Sequence, residues 1–427
     1  MLSPLFLGLD FGTSGARACA IAGNGEIEEF ARIDFGDLAP HEQATTWRTI
    51  LLDLLAGLPV GLRKRLAAIA LDATSSTVLV CDETLTPTHP PLLYDDARAR
   101  QEAADIGVVA GTGHPAAVAS SGLAKVLWLS RHLAAERRRL FLNQADWLAA
   151  LLSGRPGISD YHNALKMGHD PALPGWPAWV DRLVDRQALP SVVPPGSGVG
   201  LIAGPRGSQL GIDSNCLIRA GTTDSIAAFL ASGASQSGDA VTCLGSTLVL
   251  KLVSMQRIDD AGSGVYSHWF GTGWLTGGAS NAGGGILRDF FDDAELAALS
   301  GRIDPETDSG LRYYPLRRPG ERFPVNDPDL APCLLPRPTE PERFLHGLLE
   351  GLARIEAAGY RRLVDLGATP ARRIISSGGG SSNRTFARLR ERQLGLVVKS
   401  ADHTEAAYGA ARLALHGTCL FPGACDA

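Results

Sequence analysis

The stretch Leu5-Phe6-Leu7-Gly8-Leu9-Asp10-Phe11-Gly12-Thr13-Ser14-Gly15-Ala16-Arg17-Ala18-Cys19-Ala20-Ile21 decides how this chain is read. Two apolar runs flank a polar, glycine-rich turn, the pattern of a β-hairpin. Asp10 falls where the first strand ends. Gly12 and Gly15 let backbone N–H groups turn inward with no Cβ in the way, and Thr13 and Ser14 add hydroxyl donors. Successive inward N–H groups with hydroxyls beside them form a nest for phosphate. A carboxylate next to such a nest repels the anion unless a cation sits between them, and Mg²⁺ prefers one or two carboxylates plus phosphate oxygens. The stretch therefore reads either as an Mg-nucleotide site or as a hairpin turn with ordinary Gly, Asp and Ser/Thr chemistry.

The 427 residues suffice for two or three domains with cores of their own. Apolar content of 45% and charged content of 20% are those of a soluble globular protein. A net charge of -5 gives no electrostatic case for nucleic acid. No apolar run approaches a membrane span, and the first strand begins too close to Met1 for a leader peptide, so the expected compartment is the cytoplasm. The seven cysteines include no C-x-x-C pair and argue against a disulfide framework. The ten histidines show no ligand spacing.

Outward from the first hairpin, the Asn24-Gly25 turn leads into a third strand over Ile27–Ile33. Trp47, Ile50, Leu51 and Leu54 lie at helix spacing. A buried strand over Leu66–Leu71 runs into Asp72-Ala73-Thr74-Ser75-Ser76-Thr77, and Val78–Cys81 resumes a strand. Ligands of α/β sheets bind beyond strand C-termini, which makes Ser75 a candidate contact. Tyr94-Asp95-Asp96-Ala97-Arg98 is either a sugar-binding loop or a helix N-terminus capped by Asp95 or Asp96. Gly221-Thr222-Thr223-Asp224-Ser225 opens a helix. Ala240–Leu250 repeats the shape of the first hairpin around Gly245-Ser246-Thr247, a weak echo that suggests two related halves. A long helix follows from about Pro341 to Leu366. A short strand then enters Gly378-Gly379-Gly380-Ser381-Ser382-Asn383, and a last helix starts at Glu405.

The chain has no Gly-Lys pair, hence no P-loop, and neither G-x-G-x-x-G nor G-x-S-x-G occurs. The nucleotide case rests on three Gly/hydroxyl loops, each next to a strand: 12–15, 245–247 and 378–383. In order, Asp10-Phe11-Gly12-Thr13-Ser14, Gly221-Thr222-Thr223-Asp224, Leu244-Gly245-Ser246-Thr247 and Gly378-Gly379-Gly380-Ser381-Ser382-Asn383 resemble the motifs of the FGGY carbohydrate kinases. These belong to the actin/Hsp70/hexokinase-like ATPase superfamily. Tyr94–Arg98, Asn163–Asp170 and Glu405–Ala411 are similar to further stretches of that family, and the likeness runs nearly end to end. The chain is shorter than most members. With Asp72–Thr77 it resembles the short cyanobacterial and plastid xylulose-kinase-like form of D-ribulose kinase type.

The resemblance implies an α/β fold of two ribonuclease-H-like (actin-like ATPase) domains with a cleft between them. Residues 1–231 plus about 405–427 would form the sugar-binding domain, and residues 232–404 the ATP-binding domain. It implies ATP and Mg²⁺ as cofactors, with Asp10 holding the metal and also lying against the sugar. Gly12, Thr13 and Ser14 would cradle the transferred phosphoryl group. Gly245, Ser246 and Thr247 would meet the β- and γ-phosphates, and Gly378, Gly379 and Asn383 would line the adenosine pocket. Ser75 and Asp96 would bind sugar hydroxyls. Asp224 would be the catalytic base, a role compatible with its helix-start position, where the dipole favours an anion. Arg17 reads as a strand-surface residue that could also lie near phosphate. The expected activity is transfer of the ATP γ-phosphate to the terminal hydroxyl of a ketopentose, D-ribulose first. Xylulose or another pentulose or polyol is the alternative acceptor. A non-catalytic ATP switch or a sugar-binding pseudokinase is the rival from another class. The expected state is a monomer or homodimer, with small-molecule partners and neither nucleic acid nor membrane.

Overall fold

The computed structural model describes residues 3–133 and 139–425. It divides into two compact units, Met1–Ala231 with Glu405–Ala427, and Ser232–Thr404. The strands of unit 1 are β1 (Leu5–Phe11), β2 (Gly15–Ala22), β3 (Ile27–Asp34), β4 (Leu66–Ala73), β5 (Val78–Cys81), β6 (Leu140–Asn143), β7 (Ile158–Asp160), β8 (Ser191–Val193), β9 (Gly198–Leu201), β10 (Leu217–Arg219) and β11 (Thr222–Thr223). Seven of them make one sheet in the order β3-β2-β1-β4-β10-β9, with β11 also on β4. β1 pairs antiparallel with β2 and parallel with β4. β5 does not continue this sheet. It pairs with β6 in a separate two-stranded sheet, and a second apolar cluster, including Val78, Ile106, Leu127 and Phe141, packs there.

Both faces of the large sheet are covered. Helix Gln43–Gly57 buries Ala44, Trp47, Ile50, Leu51, Leu54 and Leu55, a 3.6-residue stripe facing the alternating apolar residues of β1 and β4. On the other face lies helix Ala406–His416, from the far end of the chain. Its approach requires glycine twice. A Cβ at Gly8 would stand 2.0 Å from the Ala407 carbonyl oxygen, and one at Gly409 would stand 1.8 Å from the Ala227 carbonyl oxygen. Both are below any real contact, so the helix touches sheet and neighbouring helix backbone to backbone.

Unit 2 contains β12 (Asp239–Leu244), β13 (Leu248–Ser254), β14 (Tyr266–Phe270), β15 (Gly273–Ser280), β16 (Arg373–Ser377) and β17 (Val398–Ser400), in the sheet order β14-β15-β13-β12-β16-β17. β12 is antiparallel to β13 and parallel to β16, the arrangement β1 has with β2 and β4. The internal echo in the sequence is thus an echo in strand pairing. Helix Pro341–Asp365 covers this sheet through Phe344, Leu345, Leu348, Leu349 and Leu352.

The structure decides three local points. Neither Asp95 nor Asp96 caps a helix, because the helix there runs Arg100–Ala110 with Ala99 at its N-cap. Two of the seven cysteines, Cys419 and Cys425, are paired. Their separation of six residues gives a local clip rather than a framework. Residues 157–175 contain β7, a helical turn Tyr161–Ala164 and a 3₁₀ turn Leu165–Met167, because Asp160 accepts from the His162 and Asn163 N–H groups and starts the turn. Among the described residues no helix is long and apolar enough to cross a membrane.

Candidate active site

The parallel register of β1 and β4 places Asp10 beside Asp72. That of β11 and β4 places Thr222 beside Asp72, so Asp224 follows two residues later at the same end of the sheet. Paired positions of neighbouring strands share a face, and three carboxyl groups converge at the sheet's C-terminal edge. Asp10 is 4% exposed and Asp72 fully buried. Neither Asp72 oxygen receives a donor. Burial first, then the charges of Asp10 and Asp224, push the Asp72 carboxyl well above the usual carboxylate range, and a proton there would bridge to Asp10. Asp224 is the first residue of helix Asp224–Ala231, and its carboxylate accepts the Ser225 N–H at 2.7 Å.

Arg17 is not a strand-surface residue. The hairpin register pairs it with Asp10, its guanidinium donates to Asp10 Oδ2 at 2.8 Å, and it lies 3.4 Å from Glu405. With Asp72 favoured in its neutral form, the cluster sets three carboxyl groups against the Arg17 guanidinium, and carboxyl oxygens are the donors a divalent ion such as Mg²⁺ takes. Among the described residues no three or more His, Cys, Asp or Glu side chains converge into an all-protein metal cage. Mg²⁺ does not require one, since it keeps waters and takes one or two carboxylates with substrate phosphates. Asp10, whose second oxygen faces the Gly12 turn, fits that role.

In the turn itself the Gly12 N–H donates to the Gly15 carbonyl at 3.1 Å, so that amide closes the turn instead of facing inward. Thr13 and Ser14 are exposed. Ser75 is half-buried in the loop after β4. Asp96 is held by Arg98, with hydrogen bonds of 3.0 and 2.9 Å. Lys125 joins the two loops that carry these residues. It is fully buried, and its ammonium donates to the Ser76 carbonyl at 2.8 Å and the Leu93 carbonyl at 2.5 Å. Burial lowers its pKa to about 8, against the opposing pull of Asp96. Ser76 has φ of 65°, a left-handed backbone that a non-glycine residue adopts only when its surroundings hold it.

Unit 2 has a groove of about 840 Å³ lined by Gly245, Ser246, Gly379, Gly380, Ser382 and Asn383 together with apolar Leu244, Leu287, Leu296 and Phe386. A lining that mixes glycine and hydroxyl residues with aliphatic and charged side chains suits a nucleotide. Thr247 and Gly378, expected beside them, are not in the lining. Gly378 has φ of 81° and abuts the Leu244 backbone, where a Cβ would fall at 2.9 Å. Asn383 caps helix Arg384–Leu394 through the Phe386 N–H and donates to Ser300 Oγ at 2.9 Å. Beneath the groove, buried Arg390 makes a two-point pair with Glu356 at 2.6 and 2.7 Å and donates to Ser376 Oγ at 2.6 Å. This fastens the end of β16 to the helix behind the loop.

Three residues of the unit 1 site carry signals in the sequence that a local reading does not resolve. Asp72 sits one strand over from Asp10 at an equivalent strand end. Arg17 is placed by the hairpin register once the turn is limited to residues 12–15. Lys125 is a lone charge inside Gly122-Leu123-Ala124-Lys125-Val126-Leu127-Trp128-Leu129, which reads as a buried helix.

Residues 240–418 match the model of the FGGY family of carbohydrate kinases, C-terminal domain. The gluconokinase of Bacillus subtilis (strain 168) is 22% identical over 430 residues, covering 91% of this chain and 82% of that protein. The xylulose kinase of Staphylococcus xylosus is 21% identical over 444 residues, covering 97% of this chain and 91% of that protein. The crystal structure of a xyloylose kinase from Brucella ovis superposes with a TM-score of 0.82 at 21% identity, covering 99% of this chain and 91% of that one. Residues 240–418 are thus similar to the FGGY carbohydrate-kinase C-terminal domain, in a chain that shares the α/β fold of that Brucella ovis structure along nearly its whole length.

Proposed function

We propose that this chain is an ATP-dependent kinase that transfers the ATP γ-phosphoryl group to the terminal hydroxyl of a ketopentose, D-ribulose, giving D-ribulose 5-phosphate. The observation that carries the reading is the convergence of Asp10, Asp72 and Asp224 at one edge of the unit 1 sheet, next to the Gly12–Ser14 turn. Asp224 accepts the proton of the attacking hydroxyl, the part a positioned carboxylate plays in phosphoryl transfer. Thr13 and Ser14 hydroxyls hold the phosphoryl oxygens, while Ser75 and Asp96 bind acceptor hydroxyls. Gly245, Ser246, Thr247, Gly378, Gly379 and Asn383 serve the nucleotide, and Asp10 holds Mg²⁺. A bound Mg²⁺ neutralises charge on the phosphates. Arg17 orients the Asp10 carboxylate and balances part of the cluster's charge. A domain assignment follows: Met1–Ala231 with Glu405–Ala427 for the sugar, Ser232–Thr404 for ATP. A cytoplasmic enzyme, monomeric or homodimeric, is part of the same proposal.

D-Ribulose is preferred on the Asp72–Thr77 segment, whereas the similar proteins named above favour xylulose or gluconate as the second reading. A coupled ADP-release assay on D-ribulose, D-xylulose, L-ribulose, D-gluconate, ribitol and glycerol tests the proposal. The expected result is the highest kcat/KM for D-ribulose. A clear win for D-xylulose or D-gluconate would overturn the acceptor but leave the kinase. ATP hydrolysis with no turnover of any sugar would favour an ATP switch.

A further inference from the structure

Asp224 is presented from a short support. The strand before it, β11, has two residues and, among the described strands, pairs with β4 alone. It is shorter than an ordinary strand, so its ladder supplies few hydrogen bonds to fix the segment that follows. The Gly221 backbone is pressed onto β4: a Cβ there would stand 2.2 Å from the Leu71 carbonyl oxygen. That contact sets how close the segment lies to the sheet and leaves its tilt to side chains.

The side chain that meets this need is His162. Its Nδ1 is hydrogen-bonded to Thr222 Oγ1 at 2.7 Å, across sixty residues of chain. His162 is 2% exposed and Thr222 fully buried. The turn that carries the ring is itself fixed. The His162 N–H donates to Asp160 Oδ1 at 2.8 Å, and Asp160 also accepts from the Asn163 N–H at 3.1 Å and from Asn163 Nδ2 at 2.6 Å. Phe421, buried in the C-terminal segment of the same unit, meets the imidazole edge-on at 5.9 Å between ring centres. A buried imidazole costs desolvation that an aliphatic side chain would not, so packing alone does not explain a histidine here. Its bond is aimed at the strand that leads directly into Asp224.

The geometry points to His162 as a positioning residue for phosphoryl transfer: by holding Thr222 it fixes the strand from which the Asp224 carboxylate is presented to the acceptor hydroxyl. The role is exercised through Thr222 and not by contact with substrate. The inference rests on the reading of Asp224 as the base. Misplacing a reacting group by about 1 Å can cost on the order of 10² in rate, so loss of the tie is read in kcat.

The test uses the full chain. Thr222→Val deletes the hydroxyl at nearly constant shape, His162→Leu deletes the ring, and His162→Asn keeps an amide near the position of Nδ1. Thr222→Val and His162→Leu are each expected to lower kcat for the preferred sugar by about 10- to 100-fold, with KM for the sugar and for Mg-ATP within about three-fold. The double variant should fall no further than the worse single one, because both remove the same bond, and His162→Asn should regain most of the loss. In an Asp224→Asn background, His162→Leu should change the residual kcat by less than about two-fold, since no base is left to place. A brace that served stability alone would lower the unfolding midpoint and leave kcat per folded molecule unchanged. That result overturns the inference, as does full additivity of the two substitutions; where His162→Leu folds poorly, Thr222→Val decides. Wild type that turns over no sugar, or Asp224→Asn that turns over normally, removes the base and the inference with it, and is told apart because it needs no change at His162 or Thr222.

Discussion

Replacing Lys125 by Met removes a buried ammonium while keeping the length of its stem, and the structure sets the size of the effect. The charge is held against burial that lowers its pKa from 10.5 to about 8. At 1.36 kcal/mol per pH unit, keeping it protonated at neutral pH costs about 3 kcal/mol. Met escapes that cost but orphans the Ser76 and Leu93 carbonyls, at about 1–3 kcal/mol each. The two effects nearly cancel, so the net stability change at pH 7 is expected within about 3 kcal/mol of zero and decides little. The pH dependence does decide. A lysine with a depressed folded pKa binds fewer protons than the unfolded chain between about 8 and 10.5, so wild-type stability rises with pH across that window. The variant lacks this contribution. Urea unfolding of both proteins at pH 7 and pH 10 is therefore expected to show wild type gaining up to about 3 kcal/mol relative to Lys125→Met. At pH 7 the variant's acceptor KM is expected to rise, because the ammonium ties the Ser75 loop to the Leu93 loop. Parallel stability–pH curves for the two proteins would refute the buried-charge reasoning, and an unchanged acceptor KM would refute the clamp.

Three further outcomes are expected. Asp224→Asn should lower sugar phosphorylation by about 10²–10⁴ while calorimetry still detects Mg-ATP binding; near-normal turnover would leave Asp224 as a helix-start residue only. Asp10→Ala should shift the Mg²⁺ concentration needed for half-maximal turnover upward, since the cation loses its carboxylate and Arg17 its partner; an unchanged Mg²⁺ dependence would remove Asp10 from the metal's shell. Glu356→Leu should destabilise by about 3–5 kcal/mol by leaving Arg390 buried and unpaired, whereas Glu356→Leu with Arg390→Met should recover most of that loss in denaturant melts.

The features that were legible early share one property: they are local. The first hairpin shows because a Gly/hydroxyl turn interrupts two apolar runs, and its copy at 240–250 shows for the same reason. Helix Gln43–Gly57 shows because one 3.6-residue stripe must face the sheet. Asp10, Thr13 and Asp224 could be singled out because each stands at the end of a short apolar strand, beside glycine or hydroxyl residues. Where local rules failed, a tertiary partner had intervened. Arg98 takes Asp96 away from helix capping, and β6 draws β5 into its own sheet. Register with β1 turns Arg17 from a surface charge into the counter-ion of Asp10.

By itself, then, the amino-acid order determined that the chain would form hairpins around phosphate-sized turns, helices between them, and a second half patterned like the first. Periodicity and turn chemistry act over a few residues and need nothing else. Only the tertiary structure decided that Asp72 joins Asp10 and Asp224, because they come together through parallel pairing between strands some sixty and one hundred and fifty residues apart. It also decided that Lys125 reaches two carbonyls across the fold, and that His162 meets Thr222. Those contacts depend on which strands neighbour one another and on how closely a glycine lets two backbones approach. No window of sequence contains that information, because the energy that selects it comes from burying the whole sheet at once.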